Sequence, residues 1–316
     1  MELTIVLVSY NTRALLAPCF AALDAARDRV GPSEVVVIDN ASRDGSADYI
    51  EQNFPSVRLI RSKENVGFGR ANNMVLAGFD SDFMLLLNTD AFVAPDSIEK
   101  AMAYMKSDAR CGIVGVRLTG RDGAVQPSCR YFPTPWNMFL GRTGLARLFP
   151  GVRLVDGADW APPTTQECDW VPGCFYLIRR SVIEQVGLFD PRFFLYYEEV
   201  DHCLATQRAG WKIVYLPTTS VVHLGGESAK ADSEVTKAGK QVDKINIESA
   251  LLYFRKNFGF GALVAYVILE STSDFIVLLK GLLRRLDWRG AGHLLRRIAT
   301  VATLCTRTRF GMRPTR

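Results

Sequence analysis

The sequence predicts an α/β fold built on a doubly wound, mostly parallel sheet. Short runs rich in Val, Ile and Leu, with little polar alternation, recur through the first 118 residues, as strands buried on both faces require. Helical patterns separate these runs, and strands alternating with helices are the signature of a parallel sheet with crossover connections. Each run stops at polar residues, which suits the crevice at the carboxyl ends of the strands, where open α/β sheets bind ligands. With 316 residues, 48% hydrophobic and 22% charged, the chain can bury one sizeable α/β unit and carry an appendage.

Taken in order, the predicted strands lie near 4–9, 34–39, 57–61, 82–88 and 112–118, with helices near 13–29, 46–53, 68–79 and 95–107. The opening strand, Thr4 to Val8, runs into Ser9, Tyr10 and Asn11. The second, Val35 to Ile38, ends in Asp39, Asn40, Ala41 and Ser42. Gly67, Phe68, Gly69, Arg70, Ala71, Asn72 and Asn73 can bring backbone amides close to a phosphate, although the glycine spacing fails as a dinucleotide fingerprint. Leu85 to Leu87 lead through Asn88 and Thr89 to Asp90, an acid at the strand's exit. Residues 120–168, rich in Pro, Gly and aromatics, have weak periodicity and suit an acceptor-side excursion or a structural loop. Strand-like Trp170 to Ile178, a short helix from Ser181 and strand-like Lys212 to Leu216 complete the unit.

Two further stations follow: Phe193 to Tyr197 against Glu198, Glu199 and Asp201, and His223 after the β-like run Ser220 to Val222. Singly, each has a plain structural role. An Asp after a strand forms turns or caps helices, and three acids suit the solvated first turn of a helix. Together, a carboxylate, a histidine and an acid cluster suffice to hold a divalent ion and remove a proton.

These ordered motifs, over residues 3 to about 228, resemble glycosyltransferase family 2, the inverting nucleotide-sugar transferases of GT-A fold, and within it the bacterial rhamnosyltransferase-like branch. The resemblance implies that Ser9, Tyr10, Asn11, Asp39 and Asn40 meet the nucleotide base and ribose, and that the loop with Gly67, Phe68, Asn72 and Asn73 closes over the nucleotide. It makes Asp90 the metal-binding acid of an Asp-X-Asp element whose first acid is Asn88 here, with His223 as the second ligand. The segment from Val171 to Phe175, with Gly173, passes under the donor sugar. Relatives carry Glu-Asp where this chain has Glu198 and Glu199. The base therefore falls to Glu199, one methylene longer than the usual Asp, with Asp201 and then Glu198 as competitors.

Such chemistry accounts for these residue types. Displacing a nucleoside diphosphate from an anomeric carbon builds negative charge that a divalent cation and amide donors stabilise, while a carboxylate on the opposite side deprotonates the acceptor hydroxyl. Hard oxygen ligands suit Mg²⁺ or Mn²⁺, and an added imidazole leans toward Mn²⁺.

Seven cysteines, odd in number and without a Cys-X-X-Cys pair, exclude a disulfide framework or zinc site and fit a reducing cytosol. Met1 to Val8 lacks the pattern of a signal peptide. Beyond Ser228 the chain turns polar, with an amphipathic stretch near 245–256, then strongly apolar over 258–283 around Glu270, Asp274 and Lys280. The longest uncharged run there, Asn257 to Leu269, falls short of the roughly 18 residues of a spanning helix, so an interfacial or buried segment is expected. Residues 280–316 hold ten Lys or Arg against one acid, a formal +9 in a chain of net +5. Leu279, Leu282, Leu283 and Leu286 oppose Lys280, Arg284 and Arg285; Leu294, Leu295, Ile298, Val301 and Ala302 accompany Arg296 and Arg297. Basic amphipathic helices of this kind read as surfaces for anionic lipid, with packing on the catalytic unit as the other reading. Nucleic acid is disfavoured by the scarcity of stacking aromatics.

The expectation is therefore a nucleotide-sugar-binding half (1–118), an acceptor and base half (119–228) and a helical, membrane-associating extension (229–316). The expected enzyme is peripheral to the cytoplasmic face of the plasma membrane. It moves a sugar, L-rhamnose from dTDP-rhamnose by preference, to a lipid-linked saccharide of the cell envelope. Another hexose or an N-acetylhexosamine, a nucleotidyltransferase of similar fold, and an inactive membrane scaffold are the alternatives. A nucleotidyltransferase would need a basic triphosphate loop, and Ser9 to Arg13 offers a single Arg.

Overall fold

The computed structural model describes residues 1–156, 161–225, 239–285 and 289–316. Strands β1 (Leu3–Ser9), β2 (Ser33–Asp39), β3 (Arg58–Arg61) and β4 (Phe83–Asn88) form a parallel block in the order β3-β2-β1-β4. Helices α1 (Arg13–Arg27), α2 (Ser46–Asn53) and α3 (Phe68–Asn73) connect them, α3 running on as a short 3₁₀ turn to Gly78. After β4 the chain makes a short strand that the sequence did not announce, β5 (Ala91–Val93), then α4 (Ser97–Ser107) and β6 (Cys111–Thr119).

The excursion carries β7 (Val125–Gln126), α5 (Pro135–Thr143) and β8 (Gln166–Glu167). Its helix escaped the periodicity reading because it is short, yet it is firmly started: Pro135 fills the first position, and Thr134 and Asn137 form a reciprocal capping box. Then follow β9 (Phe175–Arg179), α6 (Arg180–Val186), α7 (Glu198–Arg208) and β10 (Lys212–His223). The predicted strand from Trp170 shortens to β9, which lies antiparallel between β4 and β6. β10 is twice the length expected, since it continues past a bulge between Leu216 and Ser220, running parallel to β6 and antiparallel to β5. The result is a mixed, mostly parallel α/β sheet.

Both faces of the sheet are covered. Leu3, Ile5, Leu7, Val35, Val37, Leu85 and Leu87 pack on α1 and α4, while the alternate Val6, Val36, Ile38, Met84 and Leu86 face the layer holding α6 and α7. To that second layer the C-terminal helices add themselves: α8 (Gly239–Arg285), broken at Gly259 by a φ of 83°, and α9 (Arg289–Arg307). The stretch expected to pack one face on the domain is buried almost all round, from Glu248 to Phe254.

Beyond the break, α8 changes character. Val264, Ile268, Phe275 and Leu279 are exposed on one side, while Glu270 and Asp274 are buried on the other, ion-paired to Arg142 of α5 and Arg297 of α9. Val242–Gly281 is long and apolar enough, by length and composition, to cross a membrane. The paired acids tie it instead to α5 and α9. Two cations that the sequence placed on a basic surface for anionic lipid are thereby corrected. Arg297 turns inward because buried carboxylates need a partner, and Lys280 donates to the Thr143 carbonyl. Val301, which the sequence placed in an apolar lipid face, is buried with Leu304 and Cys305 in the core. Leu282, Leu283, Arg284, Arg285, Leu286 and Leu294 lie outside the described side chains.

Candidate active site

The site forms where β1, β2 and β4 end. In parallel register Ser9 stands beside Asp39, and the Asn40 amide donates to the Ser9 carbonyl at 2.8 Å. Asn11, at a φ of 54°, accepts from the Arg43 amide and donates its own to Ser42 Oγ, so the loops after β1 and β2 brace each other. Asp39 Oδ2 accepts from the Ser42 amide, but its Oδ1 is buried without a partner. An unsatisfied carboxylate oxygen at the carboxyl edge of a sheet is an acceptor held ready for a ligand donor.

Asn40, Asn72 and Asn73, read from sequence as nucleotide contacts, spend their side chains on the protein. Asn40 bridges Asn65 and the Val66 amide, Asn72 bonds the Phe68 carbonyl, and Asn73 pairs at both ends with the Phe189 backbone. They shape the loop from Gly67 to Asn73. Gly67 has a φ of 87°, and a Cβ there would lie 2.2 Å from the Phe194 carbonyl oxygen, which accepts from the Phe68 amide at 2.9 Å. The loop is therefore docked on the segment that leads to the acids.

Those acids open α7. Tyr196 and Tyr197 both adopt left-handed backbone, φ 68° and 69°, a costly conformation for tyrosine that swings the chain so that the first turn of α7 points inward. The acids are not solvated as a plain helix start would have them. Glu198 lies beneath Gly69, and a Cβ at Gly173 would meet both Phe68 and Glu199. Each glutamate has a buried Oε2 with no partner. Burial pushes both carboxyls up, Glu198 further because the Glu199 charge adds to it; the Arg130 charge works against the rise in Glu199. Asp201 is different. Lys256 and Asn257 of α8 hold its two oxygens at 2.6 and 2.7 Å. Of the three acids, Glu199 combines an unengaged oxygen with a position against the Gly173 segment.

Asp90 and His223 meet because β5 pairs with the end of β10, setting His223 opposite Ala91. Asn88, the last residue of β4, donates its amide to the Cys174 carbonyl and so ties this turn to the Gly173 segment. Gln126 settles the imidazole. Its Nε2 donates to the His223 carbonyl at 2.8 Å, which leaves Oε1 to accept from Nδ1–H at 3.1 Å. The lone pair of Nε2 then faces Asp90 Oδ1 across 3.6 Å. Two acceptors at that separation repel, and a divalent cation between them fits; the donor set, one carboxylate and one imidazole, suits Mn²⁺ or Mg²⁺. Among the described residues there is no cluster of three or more His, Cys, Asp or Glu for a metal, so a ligand's own oxygens would complete the coordination.

Gln126, Arg130 and the Lys256–Asp201 pair were not legible in the sequence. Gln126 sits in a two-residue strand without periodicity, and Lys256 acts across 55 residues.

Residues 4–161 match the sequence model of glycosyl transferase family 2. The chain belongs to this family. It is 30% identical over 254 residues to an N-acetylglucosaminyl-diphospho-decaprenol L-rhamnosyltransferase of Mycobacterium tuberculosis, covering 73% of this chain and 78% of the relative. It is 26% identical to the rhamnosyltransferase WbbL of Escherichia coli, over 50% of this chain and 60% of that one. Among solved structures, the mannosyltransferase PcManGT from Pyrobaculum calidifontis, in complex with GDP-Man and Mn²⁺, aligns with a TM-score of 0.56 at 14% identity, over 98% of this chain and 87% of its own. The architecture is that of GT-A glycosyltransferases, and this family-2 chain is a hexosyltransferase.

Proposed function

We propose that this family-2 enzyme transfers L-rhamnose, with inversion, from dTDP-rhamnose to a lipid-linked saccharide in cell-envelope polysaccharide synthesis. The observation that carries the reading is Glu199, buried with an unengaged oxygen beside Gly173, in the segment that the Asn88 amide ties to the turn bearing Asp90. Support for the donor and acceptor comes from the M. tuberculosis relative, whose name specifies rhamnose and a diphospho-decaprenol acceptor.

In this reading Ser9, Tyr10, Asn11 and Asp39 receive the nucleoside, and Asp39 Oδ1 takes a hydrogen bond from it. The loop from Gly67 to Asn73 covers the nucleotide, and Asn88 borders the diphosphate. Asp90 and His223 would hold Mn²⁺ or Mg²⁺, which when bound offsets charge on the diphosphate. Glu199 accepts the proton of the acceptor hydroxyl while that oxygen bonds to the anomeric carbon, and the nucleoside diphosphate leaves from the opposite side. Glu198 and Asp201 support the base, Asp201 by fixing α7 to α8. Residues 1–118 thus serve the donor, 119–228 the acceptor and base, and 229–316 the membrane. The exposed apolar side of α8 past Gly259 lies on an anionic membrane surface, at the cytoplasmic face where nucleotide sugars are found.

The test is a thermal-shift panel of nucleotide sugars with manganese, followed by transfer to lipid-linked N-acetylglucosamine. A ligand that binds the folded state raises its stability with the logarithm of concentration over Kd. dTDP-rhamnose should give the largest shift and an inverted product. A larger shift and faster turnover with a UDP- or GDP-sugar would reassign the donor to another hexose or N-acetylhexosamine.

A further inference from the structure

The segment between β7 and β8 presents three kinds of chemistry linked in a chain of contacts that starts at Arg130, whose charge acts on Glu199. Nearest the base is Arg130, whose guanidinium lies 4.2 Å over the Trp170 ring and donates to Asp156 at 2.6 Å. Its backbone bridges that of Trp170, the residue that leads into the Gly173 segment, and Trp170 Nε1 donates to the Tyr131 carbonyl at 2.8 Å. Next is Arg153, exposed, with its guanidinium 5.0 Å over the Tyr131 ring and no acid partner among the described residues. Outermost is an apolar cap. Trp136 stacks on Phe139 at 5.5 Å and meets Phe149 edge-on at 5.3 Å; Trp136 and Phe149 are each 40% exposed and Leu148 71%.

The unit is tied to the base at one end and braced at the other. Met138 of α5 accepts from the Tyr197 hydroxyl, one residue before the acids. Asn137 Nδ2 joins the Phe132 and Arg153 carbonyls, and Arg142 anchors the far end of α5 on Glu270 and Asp274. A face held this way loses little freedom when it binds.

We propose that this face binds an isoprenoid diphosphate-linked sugar: the sugar at Glu199, the diphosphate on Arg130 and Arg153, and the isoprenoid chain on Trp136, Leu148 and Phe149. It rests on the lipid-linked acceptor proposed above and deepens it. The order base, cations, apolar cap matches the order hydroxylated ring, anionic diphosphate, hydrocarbon along such a molecule. Arginine's planar fork suits phosphate oxygens, and aromatic faces suit a chain of methyl-branched alkenes. A bilayer surface alone would not explain cations set between the apolar cap and the base. Asp156 partly neutralises Arg130 until the diphosphate displaces it.

Calorimetry on the full chain, saturated with dTDP and manganese so that the donor side is filled, tests this with farnesyl diphosphate and inorganic diphosphate as probes. Farnesyl diphosphate should bind about tenfold or more tighter than inorganic diphosphate, from burial of its chain. Trp136→Ala with Leu148→Ser should remove that difference. Arg153→Ala should weaken both probes about tenfold. Asp156→Asn should strengthen both, an increase that a merely structural role for the Asp156 pair would not give. dTDP affinity should stay the same in every variant. Equal binding of the two probes to the unmodified protein, or an apolar variant that keeps the farnesyl preference, overturns the proposal. So does an apolar variant that loses affinity only for vesicles of plain anionic phospholipid, which would make the cap a bilayer contact. Farnesyl binding with the expected pattern, in a protein that transfers no sugar to any lipid-linked acceptor, would refute the proposed function while leaving this surface assigned.

Discussion

Asp201 is held by Lys256, carboxylate to ammonium at 2.6 Å, and the same ammonium lies 2.7 Å from Asp190. One lysine of α8 thus fastens α7 and the loop before it, and engages the Asp201 carboxylate where Glu199 keeps an oxygen unengaged. Glu199→Gln should lower kcat roughly 10²- to 10⁴-fold with nucleotide affinity little changed, because the amide keeps the shape and cannot take the proton. Asp201→Asn should leave most of kcat and lower stability by roughly 1–3 kcal/mol, since it removes one of the two carboxylates that hold Lys256. Steady-state kinetics beside denaturant unfolding separates the two; the reverse pattern would exchange their roles.

The pH dependence follows from burial. The Glu199 carboxyl is pushed above the ordinary glutamate range, and only its deprotonated form accepts the proton. Activity should therefore rise with pH through an acid limb displaced upward from the usual carboxylate value, and kcat/KM against pH measures it. Because the Glu199 charge adds to the rise in Glu198, Glu199 ionises while Glu198 is still neutral, and Glu198→Gln should leave the limb in place.

Metal binding offers a third prediction. Asp90→Ala and His223→Ala should each abolish manganese-dependent nucleotide binding in a folded protein. Gln126→Leu, which leaves Asp90 and the His223 ring in the chain and removes only the bonds to His223 Nδ1 and its carbonyl, should weaken manganese roughly 10- to 100-fold by freeing the imidazole tautomer. Manganese titration followed by electron paramagnetic resonance reads this without turnover; unchanged affinity in Gln126→Leu would show that the glutamine does not set the ring.

His202 bears on stability. It is buried, takes the Tyr176 hydroxyl on Nδ1 and gives Nε2–H to the Gly187 carbonyl, and burial holds its pKa down at about 4. The unfolded chain protonates this residue near 6.5 and the folded one does not, so stability is full above pH 6.5 and is lost as the pH falls toward 4. The loss amounts to about 3 kcal/mol over that window. Unfolding midpoints of the wild type and His202→Gln across this range should converge as the pH drops.

The tail cannot be tested by deletion. Removing residues 280–316 strips Val301, Leu304 and Cys305 from the core and leaves Glu270 and Asp274 without Arg297, so the truncated chain should misfold. Replacing Ile268 and Phe275 with Ser instead alters only exposed side chains. It should reduce sedimentation with anionic vesicles about tenfold or more and leave the melting temperature in place. Retained sedimentation would move the contact away from α8.

The parallel block was legible because its strands are buried on both faces and end in residues with no packing role, such as Ser9, Asp39 and Asp90. Asp90 just after β4, Glu199 in the first turn of α7 and His223 at the end of β10 stand at the element ends where the sequence put them. What escaped depends on pairings that no local pattern encodes. β5 is three residues long, and its existence follows from β10 continuing past a bulge. The inward turn of Arg297 reflects acids more than 20 residues away, so its helical spacing among leucines pointed to the wrong side. Asn40, Asn72 and Asn73 have the composition of ligand contacts, and tertiary hydrogen bonds claimed them first.

The four-residue ion cluster under α8 also bears on how the chain is made. Arg142 leaves the ribosome before α8 does, and Arg297 after it. While residues 258–281 emerge, they are a hydrocarbon-rich helix carrying two acids, and lodging such acids in lipid costs about 2.5–3.5 kcal/mol each. Arg142, already present on α5, can claim both carboxylates at once, which commits the helix to the protein before its second partner exists. Chain order thus gives the nascent polypeptide a bias against insertion, and Arg297 closes the decision when it arrives.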